Sequence, residues 1–216
     1  MTFSSAILAP LCLAFVAAYV VMEWRGGGWR AWAAKTVAST CFVALAVHND
    51  AFSSNYGIFV LGALALSWIG DILLLSPRGG LLLAGIAAFL LADIAFAIAF
   101  ATLALDPSVF VAALTFWNVA ALLLIRWLWK YLAGTKRIAV IAYLAVITVV
   151  AALAFATGSP IISSAAAFFA VSDISVARDR FVERSIANRA WGIPLYYLAQ
   201  VLFAMSLLPT FSSMTF

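Results

Sequence analysis

Charge is what this sequence has least of. Only 9% of its 216 residues are Asp, Glu, Lys or Arg, against about 25% in a soluble domain, and 67% are hydrophobic. That shortage excludes a water-exposed globular fold. No stretch is polar enough to build a separate soluble module, so residues 1–216 are expected to form one integral membrane domain. Cysteine is nearly absent: Cys12 and Cys41 both fall in apolar runs, which excludes a disulfide framework and a thiolate cluster. The one histidine, His48, lies at the outer end of a span beside Asn49 and Asp50, and no His/Cys/Asp set has metal-ligand spacing, so no metal and no cofactor are expected. A mid-span lysine is missing too, which excludes a retinal Schiff base. The net charge of +4 is carried in short loops beside apolar runs, where topology explains it, so nucleic acid is not an expected partner.

What is present is a series of apolar runs. They fall near residues 4–22, 33–48, 57–75, 81–105, 109–129, 138–156, 161–177 and 191–208, each close to the length that spans about 30 Å of hydrocarbon. The fold class expected is therefore all-α, a polytopic bundle of about eight transmembrane helices. The first run lacks the basic n-region of a secretory signal and is a full span long, so it is expected to remain as helix one. All twelve basic residues lie in or beside the odd-numbered loops: Arg25, Arg30 and Lys35; Arg78; Arg126, Lys130, Lys136 and Arg137; and Arg178, Arg180, Arg184 and Arg189. By the positive-inside rule those loops are cytoplasmic and both termini are not. Trp24, Trp29, Trp32, Trp127, Trp129 and Trp191 cluster at the same interface, as aromatic belts do. The short loops and Ala-rich spans point to a bacterial cytoplasmic membrane.

The chain also resembles itself. GIAAFLLADIAFA from Gly85 and GIPLYYLAQVLFA from Gly192 share six of thirteen positions, and SWIGDI ending at Ile72 parallels FAVSDI ending at Ile174. A four-plus-four duplication follows, and because four is even the halves are parallel, related by an axis along the membrane normal.

Ionisable groups inside spans are costly, at least about 2.5 kcal/mol at a helix centre, so each one is a functional candidate. Three carboxylates qualify. Asp71 and Asp173 sit at matched depth near the cytoplasmic ends of spans three and seven, and Asp93 is deeper in span four. If the halves pack face to face, Asp71 and Asp173 converge on one cavity open to the cytoplasmic leaflet. Tyr196, Tyr197 and Gln200 enter from the same side, with Tyr196 and Gln200 on one helix face. Against this stands a structural role, in which the aspartates bond neighbouring helices or loop arginines such as Arg78 and Arg178. Ser172 is placed to orient Asp173, although a helical serine more often bonds its own backbone. Lys35 and Arg180 are candidate contacts for a phospholipid head group.

The ordered set of Lys35 opening span two, Gly62 with Ser67-Trp68-Ile69-Gly70-Asp71, Gly85 and Phe89, Phe168 with Ser172-Asp173, Arg180-Phe181, and Tyr196-Tyr197 with Gln200 resembles the lysoplasmalogenase, or YhhN-like, family of eight-span proteins over nearly the whole chain. The resemblance implies hydrolysis of the vinyl ether bond of lysoplasmalogens to a fatty aldehyde and glycerophosphoethanolamine or glycerophosphocholine, with a lysophospholipid drawn from the bilayer as substrate and membrane lipids as surroundings. That chemistry suits two carboxyl groups: one protonates the vinyl carbon, and the other steadies the oxocarbenium ion that water attacks. Asp71 and Asp173 are the expected pair, with the acid role open between them. The chain departs from the family pattern at Asp93 and Phe96, where a histidine and a tyrosine are expected, and Asp93 is then a third catalytic candidate. The rival reading is a proton-coupled carrier or flippase. The run 191–208 argues against it, because Pro194 then lies in the first turn and no span has a central Gly/Pro break.

Overall fold

Cap chemistry decides where several of the apolar runs become helix. The computed structural model describes residues 3–75 and 79–208, and these form α1 (Phe3–Trp24), α2 (Trp29–His48), α3 (Asn55–Leu73), α4 (Gly79–Ala101), α5 (Pro107–Leu128), α6 (Thr135–Ala156), α7 (Pro160–Ala177) and α8 (Ile186–Met205). Ser54 caps α3 by accepting the Gly57 amide at 3.0 Å. Asp106 caps α5, its Oδ1 accepting the Ser108 hydroxyl at 2.6 Å and the Ser108 and Val109 amides at 2.8 and 3.1 Å, with Pro107 preset in the first turn. The hydroxyl of Ser108, then the Val109 and Ser108 amides, hold the exposed Asp106 carboxyl below the usual carboxylate range. Arg78 lies outside the described residues.

Seven of these helices are long and apolar enough to cross a membrane, and the protein is an integral membrane helical bundle. The exception among the described residues is α8, which carries Asn188, Arg189 and Gln200. It begins at Ile186, not at 191, and this corrects the sequence reading of Pro194: the proline lies in the helix interior. The reason is that the polar first turns are packed rather than looped. Ser185 accepts the Ala187 amide, the Asn188 amide group donates to the Glu183 carbonyl at 2.7 Å, and Ser175 of α7 donates to the Asn188 carbonyl at 2.6 Å. Pro194 has no N–H for the carbonyl four residues back, that of Ala190, so the helix is weakened there.

The helices pack as four hairpins, α1–α2, α3–α4, α5–α6 and α7–α8, and α2 on α3 is matched by α6 on α7, as α2 on α8 is by α6 on α4. The close approaches repeat as well. A Cβ on Gly85 would lie 3.4 Å from the Gly70 carbonyl, and one on Gly192 would lie 3.5 Å from the Ser172 carbonyl, so each half joins its last two helices at the residue before its aspartate. The two-fold relation breaks at the first helix of each half. α1 packs against α8, whereas α5 leans chiefly on α6 and turns Val111, Phe116, Leu122 and Leu123, each more than 60% exposed, to the surroundings. In a bilayer that face meets lipid, where an apolar surface costs nothing.

Candidate active site

Asp71 is the most heavily bonded side chain of the interior. Two residues before the end of α3 and 3% exposed, it receives the Lys35 ammonium on Oδ1 at 3.0 Å. Its Oδ2 accepts the Ser39 hydroxyl at 2.7 Å and the Tyr196 hydroxyl at 3.0 Å, with the Tyr197 hydroxyl farther off at 3.4 Å. Because Ser39 has one proton and gives it to Asp71, the 2.7 Å contact between Ser39 and Tyr197 is a bond donated by the tyrosine. Lys35 and Ser39 are one turn apart on α2, and Tyr196 and Tyr197 are adjacent on α8, so three helices converge on one carboxylate. An ion pair, with hydroxyl bonds to the other oxygen, lets a charged carboxylate sit where water is excluded.

The second cluster is built differently. Asp173 of α7 is partly buried and accepts one side-chain hydrogen bond, from the Tyr143 hydroxyl of α6, at 2.8 Å. Asp93 of α4 is fully buried, and neither of its carboxyl oxygens has a hydrogen-bond partner among the described residues. Asp173 lies within electrostatic reach of Asp93. No lysine or arginine pairs with either group among the described residues. Asp71 and Asp173 share no hydrogen bond. Tyr196 bonds Asp71 and lies within electrostatic reach of Tyr143, the partner of Asp173.

Of the other residues singled out from sequence, Gln200 is fully buried beside the Tyr196 hydroxyl, and Ser67 is fully buried beside the same hydroxyl. Ser172 donates to the Phe169 carbonyl at 2.7 Å, the backbone role common for a helical serine. Arg180 is exposed in the π-turn Arg178–Val182, at the bundle rim and away from both clusters, and Arg178 is exposed beside it. Lys35 is 13% exposed, with Tyr19 and Glu23 of α1 near it. Glu23 in turn pairs with Arg189 at 2.6 Å, and Arg189 lies 3.9 Å from Asp179. Ser39, Tyr143 and this rim of charges were not singled out from sequence as site residues, and Ser67 entered only within the Ser67–Asp71 stretch of the family resemblance. Two signals pointed to them: Ser39 stands four residues from Lys35, and Tyr143 is the lone tyrosine of an apolar helix.

A family comparison matches the YhhN family over residues 30–207, a stretch that runs from α2 to the end of α8. The chain belongs to the YhhN family, the family of lysoplasmalogenases. No curated protein and no solved structure matches it. At the level of the YhhN family this is a lysoplasmalogenase-like membrane protein.

Proposed function

We infer that the protein hydrolyses the vinyl ether bond of lysoplasmalogens taken from the cytoplasmic leaflet, releasing a fatty aldehyde and the glycerophospho head. The observation that carries this reading is the unequal treatment of the buried carboxyls. Asp71 is compensated by Lys35 at 3.0 Å and by two hydroxyls within 3.0 Å, whereas Asp173 and Asp93 share a neighbourhood with a single bonded hydroxyl. Two adjacent carboxyls in a poorly solvated site hold one proton between them, because burying two like charges together is prohibitive.

Vinyl ether hydrolysis needs that division. Asp173 gives its proton to the vinyl carbon remote from the ether oxygen, and since Tyr143 occupies Oδ2, the proton is carried on Oδ1. The positive charge that develops on the ether oxygen and its carbon is stabilised by the Asp71 carboxylate, preorganised by Lys35, Ser39 and Tyr196. Water adds to the carbon, and the hemiacetal breaks its bond to the glycerol oxygen. The ammonium of Lys35, still 13% exposed, and Arg180 at the rim are the proposed contacts for the head-group phosphate. A bacterial cytoplasmic membrane is the proposed location, with the basic loops on the cytoplasmic face.

The test is aldehyde release by the purified protein from choline and ethanolamine lysoplasmalogens beside ester lysophospholipids. Vinyl-ether-selective release that falls at least about 100-fold in Asp71→Asn and Asp173→Asn is expected. Equal turnover in folded variants contradicts the assignment. One observation favours the carrier reading: Pro194 interrupts the middle of α8 within a two-fold bundle. Flux into liposomes without any product release would select it.

A further inference from the structure

A side-chain amide is costly in hydrocarbon, which offers it no hydrogen-bond partner. Among the carboxamides of the chain, Asn49, Asn188 and Gln200 are buried in the bundle and Asn55 opens α3, but Asn118 is exposed in the middle of a spanning helix. It lies eleven residues after the start of α5 and ten before its end, about 15 Å from either. Its Nδ2 donates to the Leu114 carbonyl at 2.8 Å, within its own helix. The amide has a second hydrogen and a carbonyl oxygen besides, and neither has a hydrogen-bond partner among the described residues.

Val111, Thr115, Asn118 and Leu122 are spaced four, three and four residues apart, the spacing of a seam between two helices, so they form one stripe along α5. All four are exposed. The room beside them comes from the break in the two-fold relation: α1 packs along α8, whereas its counterpart α5 makes no comparable contact with α4 and rests chiefly on α6. Thr115 gives its hydroxyl proton to the Val111 carbonyl at 2.8 Å, so the amide of Asn118 is the group of the stripe that still has a proton to donate. Hydrocarbon suits Val111 and Leu122, but not the amide between them.

We propose that this stripe is the surface through which two copies of the chain associate, α5 against α5, with the two Asn118 amides bonded to each other across a two-fold axis along the membrane normal. A second copy supplies what lipid chains lack. All twelve basic residues lie in or beside the odd-numbered loops, so both copies insert with the same topology and each carries its own amide to the same depth. An amide is self-complementary, since each oxygen accepts an N–H of the other. Val111 then meets Val111 on one side of the amides and Leu122 meets Leu122 on the other, and the short Val and Thr side chains let the two backbones come close. Arg126 flanks the stripe in the last turn of α5, where its long side chain reaches water and stands clear of its counterpart. The buried aspartates are on α3, α4 and α7, so the interface stands whichever reaction they serve.

The test is oxidative cross-linking in membranes of variants with one introduced cysteine, with the wild type reading any contribution of the buried Cys12 and Cys41. Val111, Leu122, Phe116 and Leu123 are all more than 60% exposed, but Phe116 and Leu123 lie about a third of a turn round the helix from the stripe. Val111→Cys and Leu122→Cys are expected to give severalfold more cross-linked dimer than Phe116→Cys and Leu123→Cys. Equal yields at the four positions, or none at any, overturn the interface. Adding Asn118→Leu to Leu122→Cys should lower the yield severalfold, and Asn118→Leu alone should shift the purified protein from dimer to monomer in light scattering, while Asn118→Gln, which keeps the amide, should remain a dimer. A wild type that is monomeric both in detergent and by cross-linking, or a folded Asn118→Leu protein that dimerises as the wild type does, would overturn the proposal. Should Asn118→Leu fail to fold, the ranking of the four cysteine variants decides it alone.

Discussion

Asp71 and Asp173 occupy corresponding places in the two halves, yet one is surrounded by partners and the other is not. α2 gives Asp71 an ammonium and a hydroxyl, and α8 adds a second hydroxyl within 3.0 Å. Where α8 brings Tyr196 and Gln200, α4 brings Phe89 and Asp93. The helix that completes the first site with hydroxyls therefore completes the second with a ring and an uncompensated acid. The two-fold scaffold holds an ion-paired carboxylate in one half and two carboxyls without a cationic partner among the described residues in the other, the asymmetry that the proposed acid catalysis needs. The two-fold relation supplies position, and the unequal side chains supply chemistry.

The largest effect expected from breaking the comparison is at Lys35. Lys35→Met leaves the Asp71 charge buried without its partner, and this should destabilise the protein by about 3–5 kcal/mol, read as a lower midpoint of thermal unfolding in detergent. Lys35→Met with Asp71→Leu removes both charges and should recover most of that stability while aldehyde release stays lost. If the double variant is as unstable as the single, the ion pair is not what the site depends on.

Next is the closeness of the hairpins. Gly192→Ala drives a Cβ into the Ser175 side chain, which is fixed by its bond to the Asn188 carbonyl, and should cost about 1–3 kcal/mol. Gly85→Ala meets mainly the flexible end of Leu74 at 2.8 Å and should cost less. Gly62 faces open space, so Gly62→Ala should stabilise by about 0.8–1 kcal/mol through helix propensity. Unfolding midpoints that rank these three otherwise would contradict the packing described.

Tyr143→Phe sharpens the comparison at the second site. It removes the one side-chain bond to Asp173 and should lower kcat about tenfold or more, with a smaller effect on the unfolding midpoint than Lys35→Met. A variant with wild-type kcat would show that Asp173 needs no orienting group.

The smallest effect lies outside the membrane, at Asp106. Its carboxyl is held below the usual range by hydrogen bonds that unfolding removes, so its contribution to stability is present above the ordinary carboxylate value and is lost as pH falls through the depressed one. Asp106→Ala should lower the midpoint slightly at neutral pH and make no difference in strong acid. A midpoint difference that persists in acid would mean the cap does not act through its charge.

Much of this was legible in the chain. Apolar runs of spanning length fixed eight helices, and the repeated Gly-Ile…Leu-Ala stretches anticipated the matching approaches at Gly85 and Gly192. The three intramembrane aspartates stood out because each is costly in an apolar run. Their partners did not, because which face of α2 or α6 turns inward is settled by packing. Lys35 reads in sequence as an interfacial cation, and only the fold turns it onto Asp71. The start of α8 was hidden for a related reason: Asn188 and Arg189 look like loop residues until Ser175, Glu183 and Glu23 are brought beside them.

The most direct measurement is single-turnover hydrolysis of a lysoplasmalogen in deuterated water, with mass analysis of the aldehyde, for the wild type and for Asp173→Asn. The account predicts one deuterium on the carbon next to the aldehyde group, a slower turnover in deuterated than in ordinary water, and loss of release in the variant. Aldehyde without that deuterium, or released as fast by a folded Asp173→Asn protein, would contradict carbon protonation by this carboxyl.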